Sequence, residues 1–126
     1  SGVTRSCCMP PEKDERAVLL DMLEVAREVV TFIQGRTRQD LDADRTLLRA
    51  LERTLELVGE CARKVPENVR STHPDVPWKA IVGMRNIIAH EYGRVDPDQV
   101  WRTVHRDMPS LVSTLERIVA SLPPPT

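Results

Sequence analysis

The spacing of apolar residues along the chain is the feature that most limits its fold. From Asp14 onward these residues recur at intervals of three and four, which places them on one face of an α-helix. No stretch shows the apolar–polar alternation of a half-buried strand, and no internal repeat is present. The pattern therefore predicts an all-α protein, an antiparallel four-helix bundle with an additional short helix.

Local signals predict where the first three main helices begin and end. Gly35 is expected to end the first helix, and the stretch TRQDLDAD to form a polar connector in which Asp44 caps the second helix. The second helix is expected to stop near Pro66. Pro77 is expected to open the third helix, which runs to about Glu91. The stretch between the two prolines has room for at most a short turn of helix.

The sequence of the C-terminal part of the chain predicts a further helix, which is kinked or interrupted before the last helix begins. Gly93 is expected to break the third helix, and Asp96 with Pro97 to start the next one. Pro109 marks a kink or a restart before the last helix. The predicted domains are a disordered leader at 1–12, whose Ser1-Gly2 resembles a tag remnant, a helical domain at 13–122, and a Pro-rich tail at 123–126.

Composition and charge exclude several classes of function. The 18 Lys and Arg against 19 Asp and Glu give a formal net charge of −1, without the global basic field of many nucleic-acid binders. One Phe, one Tyr and two Trp are too few for an aromatic platform that stacks single-stranded bases. The three cysteines form no disulfide framework, no apolar run could span a membrane, and no signal-peptide core is present. A cytoplasmic protein with no membrane partner is therefore expected.

The stretch GMRNIIAHEYGRVD carries costly polar side chains on a segment otherwise rich in Ile and Ala. Arg85, His90 and Tyr92 have the spacing R-x4-H-x-Y, and Asn86 follows the arginine. On an ideal helix Arg85 and Tyr92 lie about 20° apart, whereas Arg85 and His90 lie about 140° apart. The arginine and the histidine can converge if the helix loosens near its end or, more economically, if two copies of the motif meet across a dimer axis.

These residue types suit the cleavage of RNA without a metal. An imidazole that titrates near neutrality can transfer a proton, and a guanidinium can hold a phosphate and stabilise the charge of a phosphorane. Asn86 can orient the imidazole or an oxygen, and the Tyr92 hydroxyl can donate to phosphate. No Cys/His spacing fits zinc and Glu91 is isolated, so neither a metal nor a cofactor is expected. RNA cleavage needs no metal because the 2′-hydroxyl of RNA can attack the neighbouring phosphorus.

The remaining histidines and the tryptophans are expected to have structural roles. His73, which precedes Pro74 in a loop, is expected to be solvated. His105 follows Trp101 by one helical turn and is expected to pack on its ring. Trp78 and Trp101 are expected to anchor the core or a dimer interface rather than to stack on bases.

The segments LELVGECARKVPENVR and PWKAIVGMRNIIAHEYGRVDPDQVW resemble the HepT-like toxins of the HEPN superfamily, and the resemblance covers roughly residues 15–115. It implies an all-helical bundle that forms a homodimer, with two motifs in a cleft at the interface. It also implies a metal-independent endoribonuclease, with Arg85 and His90 as the catalytic pair and Asn86 in a supporting position.

The resemblance further implies a partner that controls the toxin. Such toxins are commonly encoded beside a small nucleotidyltransferase antitoxin of the MntA type, which transfers AMP from ATP to the motif tyrosine, here Tyr92. A bulky anionic nucleotide beside Arg85 and His90 would fill the cleft and repel an RNA phosphate. The alternative is a non-catalytic HEPN-type helical module, whose motif holds a nucleotide or a partner protein.

Overall fold

Helices account for the secondary structure of this chain wherever it is described. The computed structural model describes the backbone of residues 11–89 and 96–123, and the side chains of residues 15–84 and 96–123. These ranges contain no strand, which confirms the predicted all-α class. The helices are α1 (Pro11–Phe32), α2 (Asp40–Ala43), α3 (Arg45–Lys64), α4 (Glu67–Thr72), α5 (Trp78–Ala89), α6 (Pro97–Arg102) and α7 (Met108–Ser121), with a π-helical turn (Thr103–Asp107) between α6 and α7.

The long helices α1, α3, α5 and α7 form the bundle. Helix α3 packs against both α1 and α5, and α1 also packs against α7. The helices share one apolar core, in which Leu19, Leu51, Leu55 and Leu115 are fully buried. Truncating a buried leucine to alanine typically lowers the free energy of unfolding by about 2–5 kcal/mol. The packing of these side chains therefore stabilises the observed arrangement of the helices.

Helix ends follow the predicted local signals. Gly35 adopts a φ of 71° just after α1, a left-handed conformation that glycine reaches without steric cost. Asp44 caps α3, because its Oδ1 accepts a hydrogen bond from the Leu47 N–H at 3.0 Å. Asp96 caps α6 in the same manner, and Pro97 occupies the first turn of that helix.

We expect Asp44→Ala to lower the free energy of unfolding by about 0.5–2 kcal/mol, because the Leu47 N–H loses its acceptor. Asp44→Asn keeps an oxygen at the cap and is expected to retain most of the stability. Both variants lose the exposed ion pair between Arg36 and Asp44, which isolates the contribution of the cap. Urea denaturation measures the difference, and equal stability of the wild type and Asp44→Ala would show that the cap contributes nothing.

Three segments differ from the sequence prediction. The polar connector after α1 contains the single turn α2, because Leu41 is buried in the core and holds that turn in place. The proline-rich connector after α3 contains α4, a helix of 6 residues that is longer than the short turn predicted. Helix α5 begins at Trp78 rather than at Pro77, whose carbonyl accepts a hydrogen bond from the Ile81 N–H at 3.0 Å.

The predicted restart near Pro109 takes the form of a π-helical turn. Pro109 has no N–H to donate to the carbonyl of His105, so the regular α-helical ladder cannot pass through this point. The wider π turn occupies the residues before it, and α7 begins at Met108. The adjustment lets α6 and α7 follow one another while Val104 and Met108 both remain in the core.

The two ends of the chain lie partly outside the described residues. Helix α1 begins at Pro11, earlier than the predicted start at Asp14. Residues 1–10 and 124–126 are not among those described, so the leader and the tail stay predictions. Among the described helices, none is both long enough and apolar enough to cross a lipid bilayer.

Candidate functional site

Helix α5 carries the first half of the R-x4-H-x-Y motif. The backbone of this helix includes Arg85 and Asn86, but the side chains of both lie outside the described residues. His90 and Tyr92 lie outside the described residues entirely. The convergence of Arg85 with His90 therefore stays a prediction, while the frame on both sides of the motif can be described.

The start of α5 is anchored in the core. Trp78, Ile81 and Met84 are buried, and the helix packs along α3. The Trp78 indole Nε1 donates a hydrogen bond to the carbonyl oxygen of His73 at 2.9 Å, which satisfies the polar atom of a buried ring. Because one face of α5 is committed to the core, the helix cannot rotate about its axis without exposing these side chains. The orientation of this first part of α5 is fixed accordingly, and the prediction of Trp78 as a core anchor is confirmed.

His73 is not the solvated residue that the sequence predicted. Its side chain is only 13% exposed, and its Nε2 lies 3.4 Å from Glu15 Oε2 on α1. The prediction was wrong because the fold brings His73 beside Glu15 of α1, a contact between distant segments that the local sequence does not reveal. The contact joins the connector that precedes α5 to α1, and so it helps to hold the N-terminal end of α5 in place.

Arg38 supports the other side of the motif, where α6 begins. Its Nε donates to Asp98 Oδ1 at 2.6 Å, while its Nη1 lies 3.2 Å from Asp42 Oδ1, close enough for an ion pair but without hydrogen-bond geometry. The contact with Asp98 contributes most, and that with Asp42 next, to raising the pKa of the Arg38 guanidinium above its usual value. The side chain therefore stays charged at every pH at which the protein is folded. The link joins α2 to α6. Sequence reasoning missed it, although the i,i+4 spacing of Arg38 and Asp42 was a signal.

Among the residues whose side chains are described, two clefts open beside α5. One, of about 410 Å³, lies between α5 and the α6–α7 segment, with Ile81 and Met84 in its floor and the carboxylates Asp75 and Asp107 in its lining. The other, of about 520 Å³, lies between α4 and α5 and contains two cationic side chains and one carboxylate. The second cleft, which we call the α4–α5 groove, is lined by Glu67, Arg70, Ser71, Trp78, Lys79, Val82 and Gly83. An anionic ligand is favoured in the groove, whereas Asp75 and Asp107 of the other cleft are each paired with an exposed arginine.

The surroundings of Cys61 and His105, two other reactive side chains in the described ranges, indicate structural roles for them. Cys61 is partly buried on α3. This burial raises the pKa of its thiol, and the negative charge of Asp21 adds a smaller effect in the same direction. A raised pKa disfavours the thiolate that a nucleophilic cysteine needs. The rings of His105 and Trp101 stack with centroids 5.1 Å apart, which confirms the predicted packing. No group of three or more His, Cys, Asp or Glu side chains that could hold a metal ion occurs in the part of the chain whose side chains are described.

Known proteins similar to this chain are ribonucleases by name. The model of the family described as Ribonuclease HepT-like matches residues 22–118. A protein of Thermococcus cleftensis named "Probable ribonuclease HepT" is 33% identical over 102 residues, covering 78% of this chain and 93% of its own length. Two proteins of Methanocaldococcus jannaschii are each named "Putative RNase". One is 33% identical over 105 residues, which cover 83% of this chain and 96% of that protein. The other is 30% identical over 112 residues, which cover 89% of this chain and 93% of that protein. No solved structure matches the chain.

Proposed function

The chain belongs to the HepT-like ribonuclease family, and on that premise we propose that it is an endoribonuclease toxin that cleaves RNA without a metal ion. The observation that carries this proposal is the family match over residues 22–118, which includes the whole R-x4-H-x-Y motif. The buried residues Trp78, Ile81 and Met84 anchor the start of α5, and a helix fixed in this way suits the residues of a catalytic site.

In the proposed reaction, His90 and Arg85 act on the phosphodiester itself. The His90 imidazole takes the proton of the 2′-hydroxyl, the 2′-oxygen forms a bond to phosphorus, and the bond from phosphorus to the 5′-oxygen breaks. The protonated imidazole returns this proton, through water, to the departing 5′-oxygen, and the product carries a 2′,3′-cyclic phosphate. Arg85 stabilises the negative charge that grows on the non-bridging oxygens. Asn86 orients the imidazole or an oxygen, and the Tyr92 hydroxyl donates to phosphate.

We propose that each active site draws on two copies of the chain. Arg85 and His90 lie about 140° apart on an ideal helix. Rotation of α5 about its axis moves both residues together and leaves this angle unchanged, so a regular helix cannot bring them together by itself. A twofold axis that places two motifs opposite each other lets Arg85 of one copy meet His90 of the other. The protein is therefore a homodimer in this proposal.

We propose further that a cognate nucleotidyltransferase antitoxin of the MntA type inactivates the enzyme by transferring AMP to Tyr92. Phosphate placed at this position competes with RNA for the Arg85 guanidinium. Tyr92 is the single tyrosine of the chain, so an adduct on tyrosine has one possible location.

The chemistry of the ends that cleavage leaves tests the proposed reaction. We expect single-stranded RNA to yield fragments that end in 2′,3′-cyclic phosphate, because the 2′-hydroxyl is the nucleophile. A matched DNA strand, and RNA with a single 2′-deoxy substitution at the cleaved position, are expected to stay intact at that position. Cleavage of the DNA, or RNA fragments with free 3′-hydroxyl ends, would contradict transesterification. RNA that stays intact throughout would favour the non-catalytic helical module.

A further inference from the structure

Lys79 is a cation that the fold itself does not explain. It is exposed in the first turn of α5, where the positive end of the helix dipole disfavours a positive charge and where no acidic residue is present. Lys79 makes no ion pair or hydrogen bond within the described residues. Only three lysines occur in the whole chain, and this one lies at the rim of the α4–α5 groove. Lysine and helix end together favour an anion at this point.

Arg70 faces Lys79 across the same groove. Its Nη2 lies 3.2 Å from Glu67 Oε1, but the Glu67 side chain is 81% exposed, so water screens the pair. The Arg70 Nε is buried and has no hydrogen-bond acceptor among the described residues. Ser71, the other polar residue of α4 here, donates its hydroxyl to the Glu67 carbonyl at 2.7 Å. Glu67 thus contacts only one side of the Arg70 guanidinium. The groove as a whole contains two cations, Arg70 and Lys79, and one carboxylate, Glu67.

Gly83 leaves the floor of the groove open. It lies inside α5, where glycine destabilises a helix relative to alanine, and a Cβ built at this position meets no atom within 4 Å. Nothing in the described part of the molecule therefore requires glycine here. A residue without a side chain does allow the backbone of a ligand to approach the helix closely.

The groove runs along α5 toward the motif. Position 86 follows Lys79 by about two helical turns on the same side of the helix, roughly 10 Å along its axis. We propose that the α4–α5 groove holds the sugar–phosphate backbone of the RNA strand beside the scissile phosphate, with Lys79 and Arg70 as positioning residues and Gly83 as the gap that admits the strand. This assignment rests on the proposed ribonuclease function.

Salt-dependent binding of RNA tests the groove directly. The starting protein carries His90→Ala and is expected to bind RNA without cutting it. It is titrated with fluorescently labelled single-stranded RNA, and the titration is repeated with Lys79→Ala or Arg70→Ala added. We expect each added substitution to weaken binding about three- to tenfold and to reduce the slope of log K against log salt by about 0.7, the contribution of one phosphate contact on a single strand. The matched control is Arg27→Ala, which removes one exposed cation from the α1–α7 side of the bundle, where Arg27 pairs with Glu116.

A substitution at Gly83 separates a binding role from a structural one. Gly83→Ala is expected to raise the thermal midpoint by about 4 °C, because alanine favours the helix and meets no neighbour. Gly83→Leu is expected to fold at least as stably as the wild type yet to bind RNA more weakly, because its side chain stands in the groove. A Gly83→Leu protein that binds RNA as tightly as the parent would overturn the assignment.

Two other results overturn it while leaving the ribonuclease intact. In the first, wild type cleaves RNA, but Lys79→Ala and Arg27→Ala have the same affinity and the same salt slope. In the second, Lys79→Ala converts the dimer to monomer in sedimentation equilibrium, which makes the groove a protein interface. A wild-type protein that neither binds nor cleaves any RNA instead removes the proposed function on which the groove assignment stands.

Discussion

Arg85→Ala is expected to reduce RNA cleavage by ~10²–10³-fold, because the pentacoordinate phosphorus loses the donor that stabilises its added charge. The helix content and the thermal midpoint are expected to stay close to wild type. The core face of α5 is formed by Trp78, Ile81 and Met84, which the substitution leaves in place. The measurement is the initial rate of cleavage of a labelled RNA, with circular dichroism of the same sample. Loss of the fold together with the activity would show that Arg85 is a structural residue.

Mixing two inactive variants extends this prediction to the dimer. If each site combines Arg85 of one copy with His90 of the other, a heterodimer of Arg85→Ala and His90→Ala carries one site with both residues intact. Mixed and re-equilibrated subunits are then expected to regain up to about a quarter of wild-type activity, since half of the dimers are mixed and each has one of two sites (statistical subunit exchange in a C₂ dimer). A mixture as inactive as either variant alone would place both residues of a site on the same chain.

Modification of Tyr92 is expected to have the second large effect. Incubation with the cognate nucleotidyltransferase, ATP and Mg²⁺ is expected to add about 329 Da for each AMP transferred and to abolish RNA cleavage, because the adduct places negative charge beside Arg85. Tyr92→Phe is expected to retain some cleavage and to escape this control. It should consequently be more toxic than wild type in a cell that carries the antitoxin.

Intact-mass analysis checks the modification, and RNA cleavage by the same samples checks its effect. A wild-type protein without an adduct, or a Tyr92→Phe protein with the same adduct, would place the control elsewhere. Either result would leave the proposed nuclease reaction standing, since that reaction depends on Arg85 and His90.

Local signals in the sequence predicted most helix boundaries, because each boundary depends on a few neighbouring residues. Gly35 ends α1 through its left-handed backbone, and Asp44 caps α3 with its own side chain. By contrast, α2 was missed because a single buried residue, Leu41, holds it against the core. A helix of four residues is too short to show a periodic pattern that sequence reasoning could detect.

Contacts between distant segments explain the other differences. The solvated position predicted for His73 was wrong because its neighbour Glu15 comes from α1, far away in the sequence. The link between Arg38 and Asp98 likewise joins residues that only the fold brings together. For the candidate site, the sequence could name the residue types and their chemistry. It could not reveal the groove beside α5, because Arg70 and Lys79 belong to different helices.

Cleavage of RNA in excess EDTA, by wild type and by His90→Ala, distinguishes a metal-independent nuclease from a helical binding module most directly. We expect wild type to cleave at an undiminished rate in EDTA, since the proposed reaction uses only the imidazole, the guanidinium and the 2′-hydroxyl of the RNA. His90→Ala is expected to be slower by ~10²–10⁴-fold, the usual consequence of removing a general acid–base group. Identical RNA profiles for the two proteins, or wild-type cleavage that EDTA abolishes, would contradict the proposed mechanism.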